Sequence, residues 1–117
     1  MIINETRELA DRIVQLASDR KASNIVLLDI RQATLLADYF VICTGETSRQ
    51  IRGIVSGIVE DLSKDDIDPL HVEGQPETGW MLVDYGNVVV HVMGPKERDF
   101  YGLERVWSSA VPILVIQ

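Results

Sequence analysis

The sequence predicts a single α/β domain, a mixed sheet of about five strands with helices packed against it. Three observations carry that expectation. Amphipathic helical stretches alternate with short, nearly continuous apolar runs of the kind found in strands covered on both faces. Two such runs, Trp80 to Tyr85 and Val88 to Met93, flank Gly86-Asn87, whose turn chemistry suits a two-residue hairpin. The chain has 117 residues, 46% of them hydrophobic and 25% charged, which is enough for one core and too little for a second domain; one domain is therefore expected over 1–117.

Taken in order, Asn4 is the expected N-cap of a first helix, in which Leu9, Ile13 and Leu16 recur at helical spacing. Ile25 to Ile30 reads as a central strand, and Tyr39 to Cys43 as a second buried one. The short connector 31–38 favours an antiparallel pair, or else a compact crossover with one helical turn. Thr47 and Gln50 have the form of a capping box opening a long helix. Its stripe is Ile51, Ile54, Val55, Ile58, Val59 and Leu62, with Lys64-Asp65-Asp66 at its end. Gly53 and Gly57 are expected to let that helix approach the sheet closely.

Ile67 to Glu73 reads as a short strand, placed at an edge by Pro69, with the loop GQPETG after it. The hairpin follows. Its register sets Met81 opposite Val92 and Val83 opposite Val90 on an apolar face. The other face carries Trp80, Leu82, Asp84, Val89, His91 and Met93, a mixture of ring, acid, imidazole and thioether that is neither an ordinary core face nor an ordinary solvated one. Pro95 suits the first position of a last helix, in which Phe100, Leu103 and Trp107 form a docking stripe and Gly102 is a point of kinking. The apolar tail Val111 to Gln117 should pack as a strand or clamp, because exposed it would invite aggregation.

With 11 basic and 18 acidic residues the formal charge is −7, which repels phosphate backbones and attracts a basic partner. Nucleic acid is therefore not the expected primary contact. The single cysteine, Cys43, lies in an apolar run with no basic neighbour and reads as a buried structural thiol, which fits a reducing, cytoplasmic setting. The start of the chain does not resemble a signal peptide, and no apolar run approaches the ~20 residues of a membrane span.

Chemistry finds little support. The TGETS turn before the long helix lacks the paired glycines and lysine of a phosphate loop. Asp29, Asp38 and Asp84 are candidate carboxylates, yet metal-assisted phosphoryl transfer needs several converging on the cation, and Asp29-Ile30-Arg31 places an arginine where a second acid would be wanted. Asp84 and His91 lie diagonally on one hairpin face without a nucleophile beside them, which reads as an acid orienting a structural imidazole. His71 stands alone, and the HxxxH, CxxC and GxSxG patterns are absent. Binding fits better, because interface energy concentrates in Trp, Tyr and Arg, with Met as an adaptable filler. Trp80, Met93, Arg98 and Tyr101 are such residues on adjoining elements.

The motifs ADYFVICTG at Ala37 to Gly45, with Thr47-Ser48-Arg49 after it, VEG at Val72 to Gly74, GWMLVDYGNVVVHVM at Gly79 to Met93 and FYGLERVW at Phe100 to Trp107 resemble the ribosomal silencing factor family, RsfS, also called Iojap-like proteins. The resemblance covers most of the chain from Ile25 onward. It departs at Leu35-Leu36, where small polar residues are common, and at Asn87, a turn position often held by Asp; the first 23 residues and the tail after Trp107 carry little of it. It implies a nucleotidyltransferase-like fold without catalytic carboxylates, no enzyme activity and no cofactor. It also implies a translation regulator that binds ribosomal protein fourteen of the large ribosomal subunit, keeps the small subunit from joining and lowers translation when nutrients are scarce. Homodimers are a further implication. On this reading Trp80 and Met93 are apolar anchors and Tyr101 an amphipathic one. Asp84, Arg98 and Glu104 form a polar rim, and His91 orders the face. The rival reading is a divergent nucleotidyl or phosphoryl transferase using Asp29 and Asp84.

Overall fold

A computed structural model describes residues 3–106 and 110–117. The elements are α1 (Ile3–Asp19), β1 (Ser23–Asp29), β2 (Tyr39–Thr44), α2 (Ser48–Ser63), β3 (His71–Gln75), a 3₁₀ turn at Pro76–Thr78, β4 (Trp80–Asp84), β5 (Val88–Met93), α3 (Pro95–Tyr101), α4 (Leu103–Val106) and β6 (Val111–Ile116). The strands form one sheet of six, in the order β3-β4-β5-β2-β1-β6, against the five or so expected. The apolar tail supplies the sixth, pairing antiparallel with β1 as an edge. The short connector does make β1 and β2 antiparallel neighbours, and β1 is an interior strand. Among the described strands only β2 and β5 run parallel.

That parallel pair decides the layering. From the end of β2 the chain turns into α2 on one face of the sheet, whereas from the end of β5 it turns into α3 on the other. On the first face α1 and α2 bury Leu9, Ile13, Ile54 and Ile58 against Leu27, Val41, Val83 and Val90. At ~25 cal/mol per Å² of apolar surface removed from water, this layer supplies most of the burial energy. The opposite face holds a smaller cluster, Leu28, Ile30, Ala37, Phe40, Ile42 and Met93, roofed by the connector after β1 and by Leu103 of α4.

Several local expectations change. Helix α1 already includes Asn4, so that residue is not its N-cap. Thr47 does cap α2, accepting from the Gln50 N–H at 3.1 Å, but the Gln50 carbonyl oxygen turns to the Glu46 N–H at 2.6 Å, reaching one residue further back than a capping box does. Gly53 faces open space, and the space beside Gly57 is filled by the Arg20 side chain rather than by a strand. The edge strand begins at His71 and runs through Gly74 and Gln75, so Pro69 precedes it and the loop is shorter than expected. Gly74, at φ 92, is obligatory there, because a Cβ would collide with the Trp80 carbonyl.

The hairpin has the expected register, with Met81 opposite Val92 and Val83 opposite Val90. Gly86 takes φ 90 at the first central position of the turn. The expected last helix does not run through. Gly102, at φ 54, ends α3 in a left-handed cap, and α4 starts afresh at Leu103. The Phe100, Leu103, Trp107 stripe is thereby cut: Phe100 is 80% exposed, Leu103 packs inward and Trp107 lies outside the described residues.

Candidate interaction surface

Strand alternation sends Trp80, Leu82 and Asp84 of β4 to the face away from α1 and α2, and the β3 register sets Gln75, Glu73 and His71 beside them. Because β3 is an edge and no long helix covers this corner, the floor stays partly open. Trp80 starts β4 directly after Gly79, whose left-handed φ of 81 turns the chain out of the 3₁₀ turn. Its indole N–H donates to His91 Nδ1 at 3.2 Å, and its ring meets that of Tyr101 with centroids 4.7 Å apart. Tyr101 in turn stands edge-on to Phe100 at 5.0 Å. Three rings thus run from sheet to solvent, and Tyr101 and Phe100 are 47% and 80% exposed. A cavity of about 250 Å³ beside them is lined by Glu73, Gly74, Thr78, Trp80 and Leu82.

His91 is buried, and loss of water pushes its pKa down to about 4, so it is neutral near pH 7. Since Nδ1 accepts from Trp80, the ring proton sits on Nε2, which is buried with no hydrogen-bond partner among the described residues. The Phe40 ring packs against the imidazole at 4.7 Å. His91 therefore orders Trp80 from beneath and does not meet solvent.

The other expected contact residues divide. Met93 is 0% exposed and belongs to the core beneath the patch, because its strand position faces the roofed cluster; it is no surface anchor. Asp84 does not orient His91. Its carboxylate accepts from the Gly86 N–H at 2.7 Å and lies 3.3 Å from His71 Nε2, the residue directly across the ladder. His71 is thus not alone, since Glu73 also lies 3.1 Å from its Nε2. Arg98 is not a rim residue either: its side chain is 11% exposed and donates to Glu104 at 3.2 Å and to the Thr44 hydroxyl at 3.0 Å. Glu104 is consequently engaged with Arg98. Phe100 and Leu82, by contrast, join the surface. The signal for Phe100 was Gly102, a left-handed stop that denies it a continuous docking stripe.

The structure does not bring Asp29 and Asp84 together. Asp29 and Asp84 sit on β1 and β4, three ladder steps or roughly 14 Å apart, and on opposite faces of the sheet. Arg31 forks onto Asp29 with Nε at 2.9 Å and Nη2 at 2.5 Å, holding its carboxyl below the ordinary value although desolvation opposes the shift. Among the described residues no three His, Cys, Asp or Glu side chains are placed to hold a metal ion. The Cys43 thiol is buried, and desolvation raises its pKa to about 12, consistent with an inert structural role. No helix among the described residues is long and apolar enough to cross a membrane.

Comparison with known proteins gives a consistent picture. The family model described as "Ribosomal silencing factor during starvation" matches residues 3–116. The chain is 40% identical over 92 residues to the ribosomal silencing factor RsfS of Bacillus subtilis, covering 79% of this chain and 78% of that protein. It is 32% identical over 101 residues to the mouse protein named mitochondrial assembly of ribosomal large subunit protein 1, covering 84% of this chain and 44% of that one. A crystal structure of a Chromobacterium violaceum protein, 33% identical, superposes with a TM-score of 0.81 over 100% of this chain and 95% of that one.

Proposed function

The chain belongs to the ribosomal silencing factor family, and from that premise we propose that it binds the large ribosomal subunit at its protein fourteen and, by occupying space, keeps the small subunit from joining. Translation falls as a result, and no bond is made or broken. The observation that carries this reading is the ring cluster of half-buried Trp80 with exposed Tyr101 and Phe100, at the thinly covered face of a chain with net charge −7. Aromatic anchors supply binding energy at interface centres, while negative charge steers a protein toward basic partners and away from phosphate backbones. Glu73, which lines the cavity beside Trp80, supplies an acceptor there.

Sedimentation with isolated large subunits tests it. The protein should travel with large subunits, and at saturation it should reduce their pairing with small ones. Subunits lacking protein fourteen should not retain it. Undiminished capture by those subunits, or pairing that proceeds unhindered, would overturn the proposal.

Self-association is a second reading, favoured by β6. This edge strand leaves Val111 and Val115 54% and 57% exposed, and an apolar edge is a template for a second strand. Sedimentation velocity across a dilution series should reveal dimers that Val115→Lys removes; a concentration-independent monomer excludes them.

A further inference from the structure

Helix α3 carries Tyr101 and Phe100, two of the three rings on which the proposed binding rests, yet none of its own residues is buried. Apolar packing of the kind that holds α1 and α2 therefore does not hold it. The sequence supplies polar fastenings instead. Arg98 points inward from α3, donating through Nε to Glu104 and through Nη1 to both the Thr44 hydroxyl and the backbone carbonyl of Asn24.

Each acceptor belongs to a different piece of the molecule. Thr44 closes β2 and is 3% exposed, and Glu104 lies on α4 beyond the Gly102 break. Asn24 sits in the register shift of β1 between Ser23 and Val26, where it has no ladder partner on β2 and adopts a left-handed φ of 50. A non-glycine residue in that region needs a compensating contact, and its carbonyl meets Arg98. One guanidinium thus joins α3 to β1, β2 and α4 at a single point. A second fastening lies one residue earlier, where the Glu97 carboxylate fits over Gly79 and Gly94 so closely that a Cβ on either would collide with it.

We propose that Arg98 is a positioning residue for the interaction surface: it latches α3 to the strand ends so that Tyr101 stacks on Trp80, and it does not touch the partner itself. The inference deepens the binding reading given above and rests on it for its consequence, although the latch itself is a property of the free protein. Arginine is required because three acceptors in different directions need a planar fork; a lysine offers one point of charge.

The test is a double-mutant cycle between Arg98→Met and Tyr101→Ala, read in two ways. Affinity for large subunits is the first. Arg98→Met alone should weaken binding about tenfold, Arg98→Lys should recover only part of it, and in the Tyr101→Ala background Arg98→Met should cost clearly less than it does alone, the remainder coming from displacement of Phe100 on the same helix, because coupled residues are not additive. The second reading is the Trp80 indole N–H resonance of the free protein, assigned with Trp80→Phe. It should shift in Arg98→Met as the Tyr101 ring leaves. Full additivity of the two substitutions, or an unmoved indole resonance with unchanged affinity, overturns the proposal. If the wild-type chain fails to bind large subunits while the resonance shifts as expected, the function is wrong and the latch stands. Should Arg98→Met not fold, Thr44→Val, which deletes one acceptor, should shift the resonance in the same direction by less, and no shift there counts against the latch.

Discussion

Trp80 and His91 are joined by a 3.2 Å hydrogen bond in which the indole donates and Nδ1 of a buried imidazole accepts. The acceptor lone pair exists only while His91 is neutral, so the central ring of the surface and the charge state of the core are linked. The folded pKa is lowered to about 4 from an ordinary 6.5. Between those values the unfolded chain binds more protons than the folded one, so acidification favours unfolding. Stability should be level above about pH 6.5 and fall toward pH 4, with roughly 2 to 3 kcal/mol lost between pH 7 and pH 4.5. Urea titrations at a series of pH values check this, and His91→Gln should flatten the profile.

Trp80→Ala and Tyr101→Ala should each weaken binding to large subunits by about 2 kcal/mol or more, some thirtyfold, as buried aromatic anchors do. Phe100→Ala should weaken binding while leaving the melting temperature nearly unchanged, because that ring is 80% exposed. Equilibrium binding together with thermal unfolding separates the two effects.

Met93→Ala should behave in the opposite way. The side chain is 0% exposed within the smaller core cluster, so truncation opens a cavity and should cost about 2 to 5 kcal/mol of stability. Any loss of binding should track the fraction unfolded. Denaturant titration, followed by binding assays on the folded fraction, distinguishes this from a direct contact.

Two glycines should respond with opposite sign. A Cβ at Gly53 meets nothing within 4 Å in the middle of a helix, so Gly53→Ala should stabilise by about 0.5 to 1 kcal/mol. Gly74→Ala should destabilise, since its φ of 92 and the Trp80 carbonyl both exclude a side chain. Paired melting curves decide it.

Asp29→Asn tests the rival transferase reading. With Arg31 forked onto the carboxylate, nucleotide with Mg²⁺ should leave the melting temperature of the wild type unchanged, and the variant should bind large subunits as the wild type does. A nucleotide-dependent rise that Asp29→Asn abolishes would revive the transferase.

The layers and the hairpin were legible in the sequence because they depend on local period and turn chemistry: the α2 stripe, the all-apolar β2 and the Gly86 turn each dictate their own geometry. Side-chain partners across the sheet were less so. Alternation correctly put Asp84 and His91 on one face, but not that His71, arriving on an edge strand shifted from its expected bounds, would take the carboxylate, or that Trp80 would claim the imidazole. Met93 differs from expectation because periodicity tells which face a residue points to and not whether that face is roofed, and Arg98 because its acceptors Thr44, Asn24 and Glu104 come from three separate elements. The roof is made by α4 and the connector after β1, segments whose sequences carry weak periodic signals.

Helices α2 and α3 leave neighbouring parallel strands toward opposite sides, and this gives the molecule a division of labour. One side is thickly covered by α1 and α2; the other holds a smaller core cluster and, beside it, the short polar-fastened helix α3. On the proposed binding reading, substitutions in that helix would therefore change the contact surface while the larger core under α1 and α2 stays intact.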